Sequence, residues 1–491
     1  MATETPPIRT YGGWRRSRGI GVGGLDTRQT IVLMLAIGSI TFVTAVFGTG
    51  PGLLLLPFVL AMVALCVWRR DGILLLDYAA AAISFRRACA RGETSYRGHV
   101  MVAWPKAGAM PGMLASTELL DVEVPGRERC GLVWDRRTGL MSATLLLSTG
   151  GTLLSDPRTS EAYVSSWGSL LAGLADHPAI RWAAVTVDIH PDAGPALRQD
   201  VAARLDPHAP ALARQVLGEL VEAAPAASAR VSTRLTVTVD PALGGEPITC
   251  VEDGAAATVR VLDLINPSVA GAEVLRRATA ADLARIVRSA YDPDTRLAPA
   301  EAWSPDGAPL PWGSAAGPVG AEEEQDCYWH ENAVSVSWAL LEAPRQKVAH
   351  HVLLRLLSPG SYARRVTLLY RVLGRDEAGT LIEKEQTAAD ARAAYRQRTR
   401  RDENARERKD RSLAHGAAEE EAAGAGLVQF SMFVTTTVSD AADLQAARAE
   451  VETAASASRL KLRMCRFAQS AAFAVGLPAG VYPPFAKSVR K

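Results

Sequence analysis

Lysine is nearly missing from this chain: only seven occur, at positions 106, 347, 384, 409, 461, 487 and 491, among 54 basic residues. None of the seven follows a glycine, so the phosphate-cradling pattern G-x-x-x-x-G-K-[ST] cannot occur, which excludes nucleotide hydrolysis of that class. No G-x-S-x-G turn is present to raise a nucleophilic serine. The cysteines (Cys66, Cys89, Cys130, Cys250, Cys327 and Cys465) never fall in C-x-x-C and read as free thiols in a reducing compartment, not as zinc ligands or disulfides. H-E-x-x-H is absent, and the adjacent His350 and His351, on the helix expected there, would point to different faces. A net charge of +2 lacks the basic excess of a general nucleic-acid binder. These absences leave no candidate catalytic, cofactor-binding or metal residue, and the expectation is a chain without a cofactor that is not an enzyme.

Charge is also absent from two long runs. Thr30–Phe47 is 18 uncharged residues; Gly48-Thr49-Gly50-Pro51-Gly52 follows, and Leu53–Trp68 is uncharged again. At ~1.5 Å per residue, ~20 residues cross the hydrocarbon, and each run reaches that length with its small flanking residues. The reading is a two-helix transmembrane hairpin over 30–68, with a buried hairpin of a soluble protein as its competitor. Arg15, Arg16, Arg18 and Arg28 precede it within a basic tail over 1–29, and Arg69, Arg70, Arg86 and Arg87 follow it. The positive-inside rule then puts both termini in the cytoplasm, with the hairpin in the inner membrane. A cleaved signal peptide fits poorly, because the leader is long and a second apolar run comes at once. Residues 69–99 read as a juxtamembrane helix and linker, either an extension of the second span or an arm on the membrane surface.

Beyond residue 100 the periodicity alternates between two and 3.6. Cys130–Trp134 and Leu140–Ser148 flank the polar turn Asp135-Arg136-Arg137-Thr138-Gly139 as a β-hairpin. A helix from Pro157, the strand IRWAAVTVDIH, a helical stretch from Ala193 and the strand RVSTRLTVTVD follow. This β-β-α-β-α-β order suggests a split βαβ, ferredoxin-like arrangement. It recurs from Ser335 onward, and LVQFSMFVTTTVSD resembles RVSTRLTVTVD. The fold expected is therefore a membrane α-helical hairpin plus an α+β cytoplasmic region of two ferredoxin-like lobes. The first lobe covers 100–295, a Pro/Gly/acidic linker 296–327, and the second lobe, with a long charged helix, 328–491.

That helix contains Arg396–Arg411, RQRTRRDENARERKDR, which has no apolar face to pack in a core. It reads as a solvated protrusion or as a docking surface carried by Arg400, Arg401, Arg406, Arg408 and Arg411. Gly19–Gly24 fits the letters of G-x-G-x-x-G, but an arginine-rich tail precedes it where a dinucleotide site needs a strand.

Tyr11-Gly12-Gly13-Trp14-Arg15-Arg16-Ser17-Arg18-Gly19-Ile20-Gly21 before the apolar pair, Tyr96-Arg97-Gly98, and Trp134-Asp135-Arg136-Arg137-Thr138-Gly139 together resemble a family of uncharacterised actinobacterial two-span membrane proteins. That resemblance implies a part in secretion or conjugation machinery. Two spans followed by a cytosolic α/β region are also similar to the EccE component of type VII secretion, and the hairpin resembles the PrgI-like small subunit of conjugation systems. The stretch Ala454–Pro478, with Leu477-Pro478-Ala479-Gly480, is similar to the end of the non-ATPase half of type IV secretion ATPases. The implied partners are the membrane, a separate cytosolic P-loop ATPase and other secretion-complex subunits; no strong nucleic-acid signal accompanies them. Two alternatives stay open at this stage, a membrane-tethered enzyme and a DNA-handling protein in conjugation.

Overall fold

The computed structural model describes residues 27–98, 108–149 (except 125 and 127), 155–191, 201, 204–206, 209–223, 229–297 (except 246), 312–399 (except 345), 408, 412, 416 and 427–484. The chain forms two compact units: one holds Gly92–Val372 and Val428–Lys491, the other Gly12–Arg91 and Leu373–Leu427.

The second of these begins with α1 (Thr27–Phe47), followed after Gly48 by α2 (Thr49–Val67), and the two helices contact each other. Among the described residues, Gln29–Phe47 is a helix long and apolar enough to cross a membrane by length and composition. Its large side chains face outward: Leu35, Phe42 and Phe47 are each about two-thirds exposed. Ser39, Thr41 and Thr44 donate their hydroxyls back to the carbonyls of Ala36, Ile37 and Ile40, so these three hydroxyls are satisfied within α1. A two-residue hairpin follows, β1 (Arg69–Arg70) and β2 (Ile73–Leu74), and then α3 (Leu75–Ala90). Asp71 and Gly72, at φ 51° and 79°, make the left-handed turn that matches the twist of a tight hairpin.

The other unit is built on a 13-stranded antiparallel sheet. Its strands in chain order begin with β3 (Ser95–Arg97), β4 (Thr117–Val122), β5 (Cys130–Asp135) and β6 (Met141–Thr149). After α4 (Pro157–Ala175) come β7 (Ile180–Pro191), α5 (Ala211–Ala223), β8 (Ala229–Val239), α6 (Val251–Asp263), β9 (Ala272–Arg277) and α7 (Ala280–Tyr291). Next are α8 (Trp312–Ala316), β10 (Gly320–Glu323), β11 (Tyr328–His330), β12 (Ala333–Glu342), α9 (Leu354–Leu357) and β13 (Ala363–Val372). The chain leaves for α10 (Arg375–Thr399), which belongs to the other unit, and returns as β14 (Val428–Val438), α11 (Leu444–Ala457), β15 (Lys461–Met464) and α12 (Gln469–Val475). The sheet order is β3-β10-β11-β12-β14-β13-β7-β8-β6-β5-β4, with β15 beside β12 and β9 beside β6. Thus β9-β6-β8-β7 and β15-β12-β14-β13 repeat one order, joined where β7 pairs with β13.

Period-two alternation gives the sheet two unlike faces. On one, Met141, Ala143, Leu145, Leu235, Val237 and Val239 pack under α4 and α6. Val334, Val336, Val366 and Val434 do the same under α9 and α11. The opposite face carries Ser, Thr, Arg and Asp toward its middle and is covered by aromatic and small residues of α7, α8, α12 and the segment after α12. Thr279 and Asp282 close a reciprocal capping box at the start of α7, fixing where that covering layer begins.

One segment departs from expectation. Residues 298–325, rich in Pro, Gly and acid, read as loop, yet their described part supplies α8 and β10. The reason is Trp312, which is 4% exposed and donates its indole N–H to Thr117 Oγ1 at 2.9 Å. One large buried ring with its polar end satisfied outweighs the loop-forming composition around it.

Candidate functional site at the polar face of the sheet

Register places a line of hydroxyls directly opposite one another across the strands. Ser142 pairs with Thr238 at 2.9 Å and Thr144 with Thr236 at 3.0 Å. Ser337 pairs with Thr435 and Ser335 with Thr437, both at 2.8 Å. Where the two repeated halves join, Thr186 pairs with Thr367 at 3.1 Å. A buried hydroxyl left without its partner costs ~1–3 kcal/mol, whereas removing both members of a pair is close to neutral. Thr186→Val or Thr367→Val alone is therefore expected to lower unfolding stability by ~1–3 kcal/mol, and the double variant to recover most of it. Urea denaturation followed by tryptophan fluorescence reads the difference.

One step along the same face lies Asp188 on β7, between Arg234 on β8 and Arg365 on β13. Arg365 Nε donates to Asp188 Oδ1 at 2.6 Å, Arg234 Nη1 donates to Oδ2, and Arg234 Nη2 donates to the Gly476 carbonyl at 2.6 Å. The Arg365 guanidinium also sits 5.6 Å from the centre of the Phe473 ring. All three charged residues are buried, at 4%, 3% and 7% exposure, so one carboxylate serves two cations away from water. Burial pushes the Asp188 carboxyl up, but Arg234 and Arg365 outweigh it and hold the group well below the usual carboxylate range. Burial acts on Arg234 in the opposite sense and lowers it, with Asp188 opposing.

The segment after α12 seals this face. Trp182 on β7 donates its indole N–H to the Gly480 carbonyl at 2.9 Å, and its ring stands 5.2 Å from that of Tyr482. Beside the seal a cleft of about 460 Å³, its open mouth included, is lined by Asp135, Arg137, Thr138, Ser142, Trp182 and Tyr482 among others. Asp135 accepts from Ser116 Oγ (2.6 Å), the Arg137 N–H (3.1 Å) and Thr138 Oγ1 (2.7 Å), and so shapes the β5–β6 turn. The Arg137 side chain is left exposed at the rim.

Two further groupings have the residue types of chemical sites. His330 contacts the Tyr291 carbonyl through Nδ1 (2.6 Å) and Ser335 Oγ through Nε2 (2.7 Å), the contacts of a serine–base pair. A carbonyl in the orienting position fixes the proton on Nδ1. Both residues are at most 1% exposed, so the pair ties β11, β12 and α7 together out of reach of solvent. Glu324, Asp326 and Cys327 have ligand atoms within 4.8 Å of one another. However, Asp326 is paired with Arg448 at 3.1 Å, and Cys327 donates its S–H to Glu324 at 3.3 Å. Burial, with the Glu324 hydrogen bond next, pushes that thiol up to about 12, whereas a metal takes the thiolate.

Of the arginines singled out from sequence, Arg69 and Arg70 lie on β1 and Arg86 and Arg87 on α3, all exposed. Arg28 lies within α1, and Arg408 is helical and exposed. Arg15, Arg16, Arg18, Arg400, Arg401, Arg406 and Arg411 lie outside the described residues. Asp188, Arg234 and Arg365 were missed. Their signal was a charge in phase with threonines on a period-two strand, as Arg234 is with Thr236 and Thr238. No protein-family model matches the chain, and no curated protein matches it.

Proposed function

We propose that this chain is a membrane-anchored docking component of a bacterial secretion or conjugation apparatus, type IV-like or type VII-like, that recruits a separate cytosolic P-loop ATPase. In this reading α1 and α2 cross the inner membrane as a two-span hairpin with both termini in the cytoplasm, and the sheet unit is a cytoplasmic body of two ferredoxin-like lobes. The observation that carries it is the outward display of Leu35, Phe42 and Phe47 on α1, a helix whose Ser39, Thr41 and Thr44 hydroxyls bond its own carbonyls. Hydrocarbon is the solvent that such a surface fits. The recurrence of one strand order, β9-β6-β8-β7 and β15-β12-β14-β13, supports the two lobes. The exposed Leu212, Val216 and Leu220 on one side of α5 support a docking role for the body.

The expected result is that the chain stays in the membrane pellet through alkaline carbonate extraction, and that Leu35→Arg with Phe42→Arg releases it. A central arginine costs ~2.5–3.5 kcal/mol on insertion scales, so two abolish stable insertion of a single helix. Affinity capture from detergent-solubilised membranes is expected to recover a P-loop ATPase; recovery of the chain alone as a monomer overturns the docking role.

A further inference from the structure

The end of α2 and the start of α3 are built as one corner. The Leu75 N–H donates to the Trp68 carbonyl at 2.8 Å across the β1–β2 hairpin, so α3 starts at the level where α2 ends. Arg70 stacks over the Tyr78 ring at 5.0 Å, fastening the hairpin to the first turn of α3. None of the residues of α3 is buried. Trp68 is 71% exposed, and Leu76 and Ile83, seven residues apart and hence on one side of the helix, are 48% and 50% exposed. Arg86 and Arg87 flank that apolar line on either side at 3.6 residues per turn. Among the described residues no ion pair engages Arg69, Arg86 or Arg87, although Asp71 and Asp77 are close in sequence.

We propose that this corner and α3 form an interfacial arm that binds the headgroups of anionic phospholipids. The proposal rests on the reading of α1 and α2 as membrane helices. The occupant follows from continuity and charge. A surface that begins at the end of an apolar helix meets the bilayer interface first, and an exposed tryptophan suits that depth. Leu76 and Ile83 fit the acyl boundary, and the exposed guanidiniums of Arg86 and Arg87 can reach phosphates in a bidentate manner. A zwitterionic headgroup layer offers phosphates too, but no net negative surface potential to draw the arginines in.

The test uses the full chain in nanodiscs of phosphatidylcholine alone or of an equimolar mixture with phosphatidylglycerol, with hydrogen exchange read over residues 75–90. Exchange is expected to be slower in the anionic discs, and high salt should remove the difference. Arg86→Glu/Arg87→Glu is expected to cut that protection by at least a factor of roughly 25, about fivefold for each arginine charge lost before the repulsion of the added carboxylates. Identical exchange in the two discs, or protection that survives the double reversal, overturns the proposal. Failure of the anchor reading looks different, because the chain would then not enter discs of either composition. Both arginines are exposed, so unchanged exchange over α1 and α2, which belong to the same unit as α3, verifies that the variant is folded.

Discussion

Asp188→Asn is expected to lower the stability of the sheet unit by about 3–5 kcal/mol, the typical cost of removing one partner from a buried ion cluster. Asparagine keeps the size and one acceptor oxygen but removes the charge, leaving Arg234 and Arg365 buried together with nothing to offset either. Repulsion between two guanidiniums flanking the same position adds to the desolvation they already bear. The loss is read as a fall in the urea midpoint. Restoration is part of the prediction: replacing all three together, Asp188→Leu with Arg234→Leu and Arg365→Met, is expected to recover much of the stability, because a well-packed apolar trio replaces the uncompensated charges. If Asp188→Asn alone costs less than ~1 kcal/mol, the cluster is not the tie between the halves that its geometry indicates.

The same group sets an acid limit. Its folded pKa is depressed, so the folded state favours the ionised form more than the unfolded state does. The stability it supplies is therefore complete above the unfolded carboxylate value, ~3.9, and is lost as pH falls below that toward the folded value. Acid unfolding of the native chain should accordingly show a component below pH ~4 that Asp188→Asn lacks.

Much of the secondary structure was legible because its period is local. RVSTRLTVTVD became β8 almost residue for residue, and LVQFSMFVTTTV became β14. The apolar runs around Gly48 became α1 and α2. Adjacency was not legible. Asp188 lies 46 residues from Arg234 and 177 from Arg365, and only strand register brings the three together. Nor does local pattern reveal a face of the sheet that is interior yet polar. Threonines at alternate positions of β8 and β14 read as the solvent side of a half-buried strand, until a covering layer from the far end of the chain is known. β4 and β9 were overlooked for a related reason: they are short strands of mixed polarity, placed by neighbours β5 and β6 more than by their own sequence. Leu477-Pro478-Ala479-Gly480 drew notice only as a resemblance, although it lies over the buried hydroxyls.

Gly480 is where that covering layer is most sensitive, and Gly480→Ala is expected to destabilise the sheet unit by about 2–5 kcal/mol. Two independent costs combine. The residue sits at φ 63°, where a side chain costs roughly 1–2 kcal/mol. A Cβ there would also overlap the hydroxyl oxygens of both Ser142 and Thr238, and overpacking of this kind costs typically ~1–3 kcal/mol. The carbonyl of the same residue accepts the Trp182 indole hydrogen bond, so a displaced segment also leaves a buried N–H unpaired. The steric share can be separated from the backbone share. Ser142→Ala with Thr238→Ala deletes both oxygens as a pair, which removes the two closest overlaps, leaves the Ser142 Cβ at 3.0 Å and leaves φ unchanged. In that background Gly480→Ala is expected to cost only ~1–2 kcal/mol, the backbone share. Equal losses in both backgrounds would mean that the segment does not seat on the hydroxyls. The spectroscopic counterpart is Trp182: lifting the segment exposes a ring that is 4% exposed in the native state, so a red-shifted emission in Gly480→Ala should accompany the lost stability.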